Sequence, residues 1–215
     1  MTRAVWAAAR WAGVLALGGI VVLAGCASPP KYADLTLRPS PQQPTPSQVV
    51  GERIIVALGG ADVTVQWLSR AGVERFYAEK PGLINPFPDD VWAEAPPTIF
   101  ALRVRNGSAE PLQFDPSMAL LTTNSDQHLQ PVLYDEMYER LIELKDSARW
   151  LQSLQATLLD RLLVVAPGGQ REGLLVFRSF DPRAKQLRLE LSSLYVAGRL
   201  SPIFYAFQVD LRQAQ

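Results

Sequence analysis

The chain is poor in the residues that most often carry chemistry. Cysteine occurs once, at Cys26. An internal disulfide and a cysteine-based metal cluster are therefore excluded, and stability must come from a packed core. Histidine also occurs once, at His128, which excludes a multi-histidine zinc or copper site. Beside it, Ser125 and Asp126 read as an ordinary polar turn, with no G-x-S-x-G nucleophile elbow anywhere in the chain. Gly59-Gly60 lacks the Lys-Ser/Thr that completes a phosphate-cradling loop. Asp89, Asp90 and Glu94 gather three carboxylates in one stretch, but without the EF-hand spacing or its glycine they read as a solvated loop rather than a calcium site. Excess charge is absent too: 21 basic residues face 21 acidic ones. No basic field exists to draw in nucleic acid. These absences argue against an enzyme and imply no cofactor.

Long apolar runs are scarce, and the one present lies at the start. Residues 1–10 (MTRAVWAAAR) are basic, and 11–25 (WAGVLALGGIVVLAG) are apolar. A spanning helix needs roughly 20 apolar residues. Arg10 cuts this run short, and Gly13, Gly18 and Gly19 weaken it as a permanent helix. A signal-peptide core over 1–25 fits better. The run closes on Leu23-Ala24-Gly25-Cys26, which resembles the lipobox of bacterial lipoproteins. That resemblance implies cleavage before Cys26, a diacylglyceryl thioether on its sulfur and acylation of the freed amine. Each buried methylene adds about 0.8 kcal/mol, so two or three chains hold a protein firmly in a bilayer. Ala27 follows the cysteine where an aspartate would favour inner-membrane retention. The implied location is the outer membrane, facing the periplasm, in a host that has one. Without the leader the chain keeps 19 basic against 21 acidic residues.

Residues 26–50 are polar and proline-rich, with Pro29, Pro30, Pro39, Pro41, Pro44 and Pro46. Such a stretch favours extended polyproline II at about 3.1 Å per residue and reads as a tether. Only Asp34-Leu35-Thr36-Leu37 has the composition to pair with a sheet edge.

From Arg53 onward the apolar period is two. Arg53–Ala57 and Ala61–Trp67 read as strands around a Gly59-Gly60 turn. In Thr98–Asn106, Phe100, Leu102 and Val104 oppose Ala101, Arg103 and Arg105, as in a half-buried antiparallel strand. Asn106-Gly107-Ser108 reads as a turn because asparagine and glycine tolerate positive φ. Strands follow at Leu112–Phe114, Met118–Thr123 and Gln127–Val132. After a Pro167-Gly168-Gly169 turn come Gly173–Phe177, apolar like a central strand, then Gln186–Leu191 and Ile203–Leu211. Residues 51–215 thus predict one mainly β domain, an antiparallel β-sandwich of immunoglobulin-like type. Between its strands, 132–165 lacks glycine and proline. Leu133, Met137, Leu141, Leu144, Ala148, Leu151, Leu154, Leu158 and Leu162 form one stripe, predicting a helical insertion of roughly 30 residues. A break at Asp146-Ser147, capping a second helix, would make it a hairpin.

Glu79–Pro97, broken by five prolines, predicts a long loop. Tyr77, Phe87 and Trp92 flank or occupy it. These aromatics either pin the loop to the core or offer a stacking surface to a sugar or peptide. Trp150 on the helical stretch either packs inward or joins a partner-docking face.

The segment Phe100–Asn106, then Pro111-Leu112-Gln113-Phe114, Pro167-Gly168-Gly169 and Gly173–Phe177 resembles a pattern in bacterial cell-envelope lipoproteins of unassigned activity that carry an immunoglobulin-like domain. The resemblance runs from about Ile54 to Leu211 and speaks to fold more than function. The expectation is a non-catalytic lipoprotein, anchored to the bilayer through acylated Cys26, that presents a β-sandwich to a protein partner in an envelope assembly. The alternative is a periplasmic module that binds a glycan or other small ligand.

Overall fold

The computed structural model describes residues 35–42, 47–92 and 95–211, with the side chains of 89, 90 and 211 left aside. Residues 1–34, Cys26 among them, lie outside the described residues. The chain is mainly β. Among the described residues, fourteen strands run β1 (Leu35–Pro39), β2 (Gln48–Val50), β3 (Arg53–Leu58), β4 (Ala61–Leu68), β5 (Thr98–Asn106), β6 (Leu112–Phe114), β7 (Ala119–Thr123), β8 (His128–Leu129), β9 (Leu163–Val165), β10 (Gln170–Phe177), β11 (Gln186–Leu191), β12 (Leu194–Val196), β13 (Arg199–Leu200) and β14 (Ile203–Leu211). The helices are α1 (Arg70–Ala78), α2 (Asp89–Trp92), α3 (Tyr134–Leu141) and α4 (Ser147–Thr157).

Two five-stranded sheets, ordered β1-β14-β11-β7-β8 and β10-β5-β4-β3-β2, and one four-stranded sheet, β13-β12-β6-β9, pair antiparallel throughout. Alternation decides which side chains go inside. Val63 and Val65 of β4, Phe100, Leu102 and Val104 of β5, and Leu187, Leu189 and Leu191 of β11 meet in one core shared by all three sheets, giving sandwich-like packing. Tyr205 of β14 crosses this core, fully buried, and donates its hydroxyl proton to the Val63 carbonyl at 3.0 Å. A phenol can be buried at little loss only where its O–H finds such an acceptor.

A second core lies on the other side of β5 and β10. Ile99, Leu174 and Val176 pack there against Val73, Phe76 and Tyr77 of α1, Met137 and Leu141 of α3, and Leu151 and Leu154 of α4. This explains the apolar run Gly173–Phe177 differently from the sequence expectation. β10 is an edge strand of its sheet. It is apolar because both of its faces are covered. Its outer edge meets single bridges at Pro131 and Leu158.

Three other expectations change. The stretch read as a tether supplies two strands: β1 zips onto β14 from Leu35↔Leu211 to Pro39↔Phe207, and β2 lies beside β3. The 132–165 stretch divides at the expected Asp146-Ser147 break, giving two helices, but it is not wholly helical. It breaks at Asp146, whose φ is +67° and whose side chain makes no capping bond. It ends at Thr157, after which Leu158 is extended and the Leu163–Val165 run pairs with β6. Leu162, at the end of the expected stripe, is accordingly exposed.

Asn106-Gly107-Ser108 turns for another reason than positive φ, which neither Asn106 nor Gly107 adopts. Asn106 is a buried knot. Its Nδ2 donates to the carbonyls of Glu110 at 2.7 Å and Val165 at 2.9 Å, and its Oδ1 accepts from the Ser108 N–H and hydroxyl. Gly107 donates its N–H to the Gly60 carbonyl, and a Cβ on it would sit 2.6 Å from that oxygen.

Candidate functional site

The aromatics singled out in the sequence converge on the second core. The path begins at Ser69, whose side chain accepts from the Gly72 N–H and starts α1. The Val73, Phe76, Tyr77 spacing then turns one face of α1 onto the sheet. This helix was legible in principle from Ser69 and that spacing, but Gly72 and the short span mask it. The following stretch is fastened rather than free. Ile84 donates its N–H to Ser153 Oγ of α4 at 2.9 Å, and Asn85 accepts from the Phe87 N–H while donating to Glu74. Within the expected loop, Val91 and Trp92 donate to the Pro88 carbonyl and form the short α2.

Tyr77, Phe87 and Trp92 are 3%, 8% and 8% exposed. The Tyr77 hydroxyl donates to Thr157 Oγ1 at 2.7 Å, and Thr157 in turn donates to the Ser153 carbonyl. Burial pushes the Tyr77 phenol well above its ordinary value, only partly offset by Thr157. Phe87 and Trp92 pack tilted, with ring centroids 6.4 Å apart. The Arg140 guanidinium of α3 lies 5.0 Å from the centroid of the Trp92 ring, a cation–π contact. Trp150 of α4 is half-buried against the same core. The structure thus brings Tyr77, Phe87, Trp92 and Trp150 to one layer, with the rings turned inward.

An open cavity of about 100 Å³ remains between α1 and this stretch, walled by Leu68, Val73, Phe87, Trp92, Pro96, Pro97 and Ile99, with Arg70 and Asn85 at its polar side. Trp92 Nε1 is buried and has no hydrogen-bond partner. Sequence reasoning picked out Trp92 but could not have found this unmet donor, which depends on the fold. A second, more polar groove of about 430 Å³ crosses the outer face of the first sheet near Thr122, Arg188, Ala206 and Gln208. There the side-chain amide of Gln42 pairs with both the N–H and the carbonyl of Ala206, standing in for a further strand residue.

Ion pairs border the helical layer. Burial raises the Glu136 carboxyl, but the guanidinium groups of Arg178 and Arg140 more than offset it and hold it below its ordinary value. Glu172 behaves alike beside Arg103 and Lys80. His128 is exposed at the strand edge where β8 meets β7. Among the described residues, no group of three or more His, Cys, Asp or Glu side chains is placed to hold a metal ion. The side chains of Asp89 and Asp90, and all of Glu94, lie outside that description. No helix among the described residues is long and apolar enough to cross a membrane. Comparison with protein-family models, curated proteins and solved structures finds no match.

Proposed function

We propose that the protein is a lipoprotein, held in the membrane through acylated Cys26, which does no chemistry itself and presents its β-rich domain to a protein partner in the cell envelope. The observation that carries this reading is Leu23-Ala24-Gly25-Cys26 closing an apolar run behind a basic start. Ala27 favours the outer membrane, with the domain facing the periplasm. The finer fold reading goes with this proposal: an immunoglobulin-like sandwich into which α3 and α4 are inserted, supported by two antiparallel sheets facing across one core.

The alternative, binding of a glycan or free small ligand by the loop aromatics, has less support. A sugar stacks on an exposed ring face, and Tyr77, Phe87 and Trp92 are buried. Exposed apolar side chains lie elsewhere. Leu200, Tyr195, Gln113 and Val164 form one register row across the four-stranded sheet, and Tyr138 and Ile142 stand out from the helical layer.

The test is metabolic labelling with an alkyne fatty acid, with C26S alongside. The expected result is label and membrane retention in the wild type and neither in C26S. An unchanged N-terminal mass and unchanged membrane retention in C26S would overturn the anchor. In-cell crosslinking followed by pull-down tests the partner, and capture of no protein above background counts against it.

A further inference from the structure

We propose that the domain stands on the bilayer that holds its acyl anchor, with the tip of the β2–β3 hairpin, Val49 and Val50, dipped into the headgroup boundary. The occupant of this apolar tip is a lipid surface. The proposal rests on the lipidation reading above. Three observations carry it.

The first is reach. Leu35, where β1 begins, lies nine residues beyond Cys26. An extended residue spans at most about 3.6 Å, so Leu35 stays within roughly 30 Å of the acylated sulfur. Had all of 26–50 served as tether, the reach would be about 75 Å. Pairing of β1 with β14 removes more than half of that freedom.

The second is placement. Tyr205 of β14 meets Val63 of β4, and Phe207 lies against Phe100, which pairs with Trp67 of β4. β14 and β4 therefore run the same way across the core, and their last residues, Leu211 and Leu68, share one end of the sandwich. Leu35 pairs with Leu211, so the tether enters at that end. Arg53 pairs with Gln66 and Val50 with Arg53, so the hairpin tip lies there too. The four-stranded sheet belongs to the other end: a Cβ on Gly59, in the β3–β4 turn, would sit 3.0 Å from Val196 Cγ1 of β12.

The third is the chemistry of the tip. Val49 and Val50 are 48% and 50% exposed. As neighbours on one strand they point to opposite faces of it. A rigid surface laid on either face covers one of them, whereas a fluid boundary entered end-on covers both. The charges beside them are balanced and engaged, since Gln66 donates to Glu52 at 3.3 Å and accepts from Arg53 Nε at 3.2 Å. The attraction is then apolar. Two valines bind weakly by themselves, but a short tether presents them at an effective concentration on the order of millimolar, where a weak contact suffices.

The test uses the full chain with its acyl anchor, reconstituted into vesicles of phosphatidylethanolamine with a minority of phosphatidylglycerol. V50C carries a polarity-sensitive fluorophore, and an acylated Cys26 offers no thiol to compete for it. L200C, at the far end and 55% exposed in the wild type, carries the same fluorophore as the control. The expected result is blue-shifted emission, quenched by lipids brominated near the headgroup, for V50C and neither effect for L200C. Adding V49D to the V50C chain should abolish both signals while the protein stays with the vesicles. Both should persist in about 1 M salt, where charges are screened beyond about 3 Å. An equal response at positions 50 and 200, or a signal lost in salt, overturns the proposal. So does a signal present in whole envelopes and absent from vesicles, which would assign the tip to a protein. Vesicle-bound chain with position 50 in water removes the seat and leaves the anchor standing. Wild type that takes the fluorophore at Cys26 removes both.

Discussion

Replacing Asn106 tests the knot where three parts of the fold meet. The side chain is fully buried and makes four hydrogen bonds, two given and two received. Its backbone pairs with Gly168 and Gly169 of the neighbouring turn. In N106A, the Ser108 groups and the Glu110 carbonyl sit on an exposed loop and rehydrate, at a loss of a few tenths to about 1 kcal/mol each. The Val165 carbonyl is different, because its residue is 2% exposed. Depriving it of Nδ2 should cost about 1–3 kcal/mol. The total expected for N106A is about 2–6 kcal/mol, a fall in Tm of roughly 4–24 °C for a domain of this size. N106D separates donor from acceptor. The introduced carboxylate can still accept from Ser108, but it turns an oxygen toward two carbonyls and adds a buried charge. At neutral pH, N106D should therefore be less stable than N106A. Burial raises that acid's pKa, so the order should narrow as pH falls from neutral toward about 4, where the acid is neutral and can donate again. Urea unfolding followed by tryptophan fluorescence at both pH values measures this. If N106A lies within about 0.5 kcal/mol of wild type, or N106D matches N106A at neutral pH, the knot carries no such weight.

Three further outcomes follow from the same contacts. Burial holds the phenols of Tyr77 and Tyr205 above their ordinary values, so their folded-state ionisation is displaced upward. The stability they confer is present below about pH 10 and is lost as pH rises beyond it. Phenolate absorbance should show a step of two tyrosines that appears only with unfolding, reduced to one in Y205F. Glu136, held low by Arg178 and Arg140, contributes stability above the ordinary carboxylate range that is lost as pH falls through its lowered value. E136Q should be weaker than wild type by under about 1 kcal/mol at neutral pH, with the gap closing in acid; a gap that widens in acid contradicts the assignment. G173A would place a Cβ 2.6 Å from the Thr157 carbonyl oxygen and 2.7 Å from Leu159. It should lose about 1–3 kcal/mol by pushing α4 off β10, and an unchanged Tm would refute that close approach.

Strand positions were legible where one face of a strand is wet. Gln186–Leu191, and Thr98–Asn106 from Phe100 on, alternate and appear as expected. Legibility failed where other forces decide. β10 is dry on both faces and loses its alternation, so its run could not tell an edge strand from a central one. β12 and β13 are short, and their hairpin turns on Ala197 and Gly198 at positive φ, without an asparagine to announce it. The leucine stripe from 133 to 162 overran its helices because leucine suits both helix and strand, and pairing of β9 with β6 claimed the end. At the site, Phe87 and Trp92 were recognisable as important loop aromatics. That they face inward, and that one indole nitrogen is left over, depends on where α1 and α3 come to rest.

The first described strand lies alongside the last one, and this has a mechanical consequence. A pull arriving from the leading segment enters at Leu35, opposite Leu211, and runs along a ladder of five paired positions. Load applied along the strand axis is shared by all five rungs at once, so the ladder resists it before any turn gives way. A chain trimmed back to Gly51, the boundary that composition suggests, would forfeit this grip. It would also bare the flank of β14 to any strand that happened past.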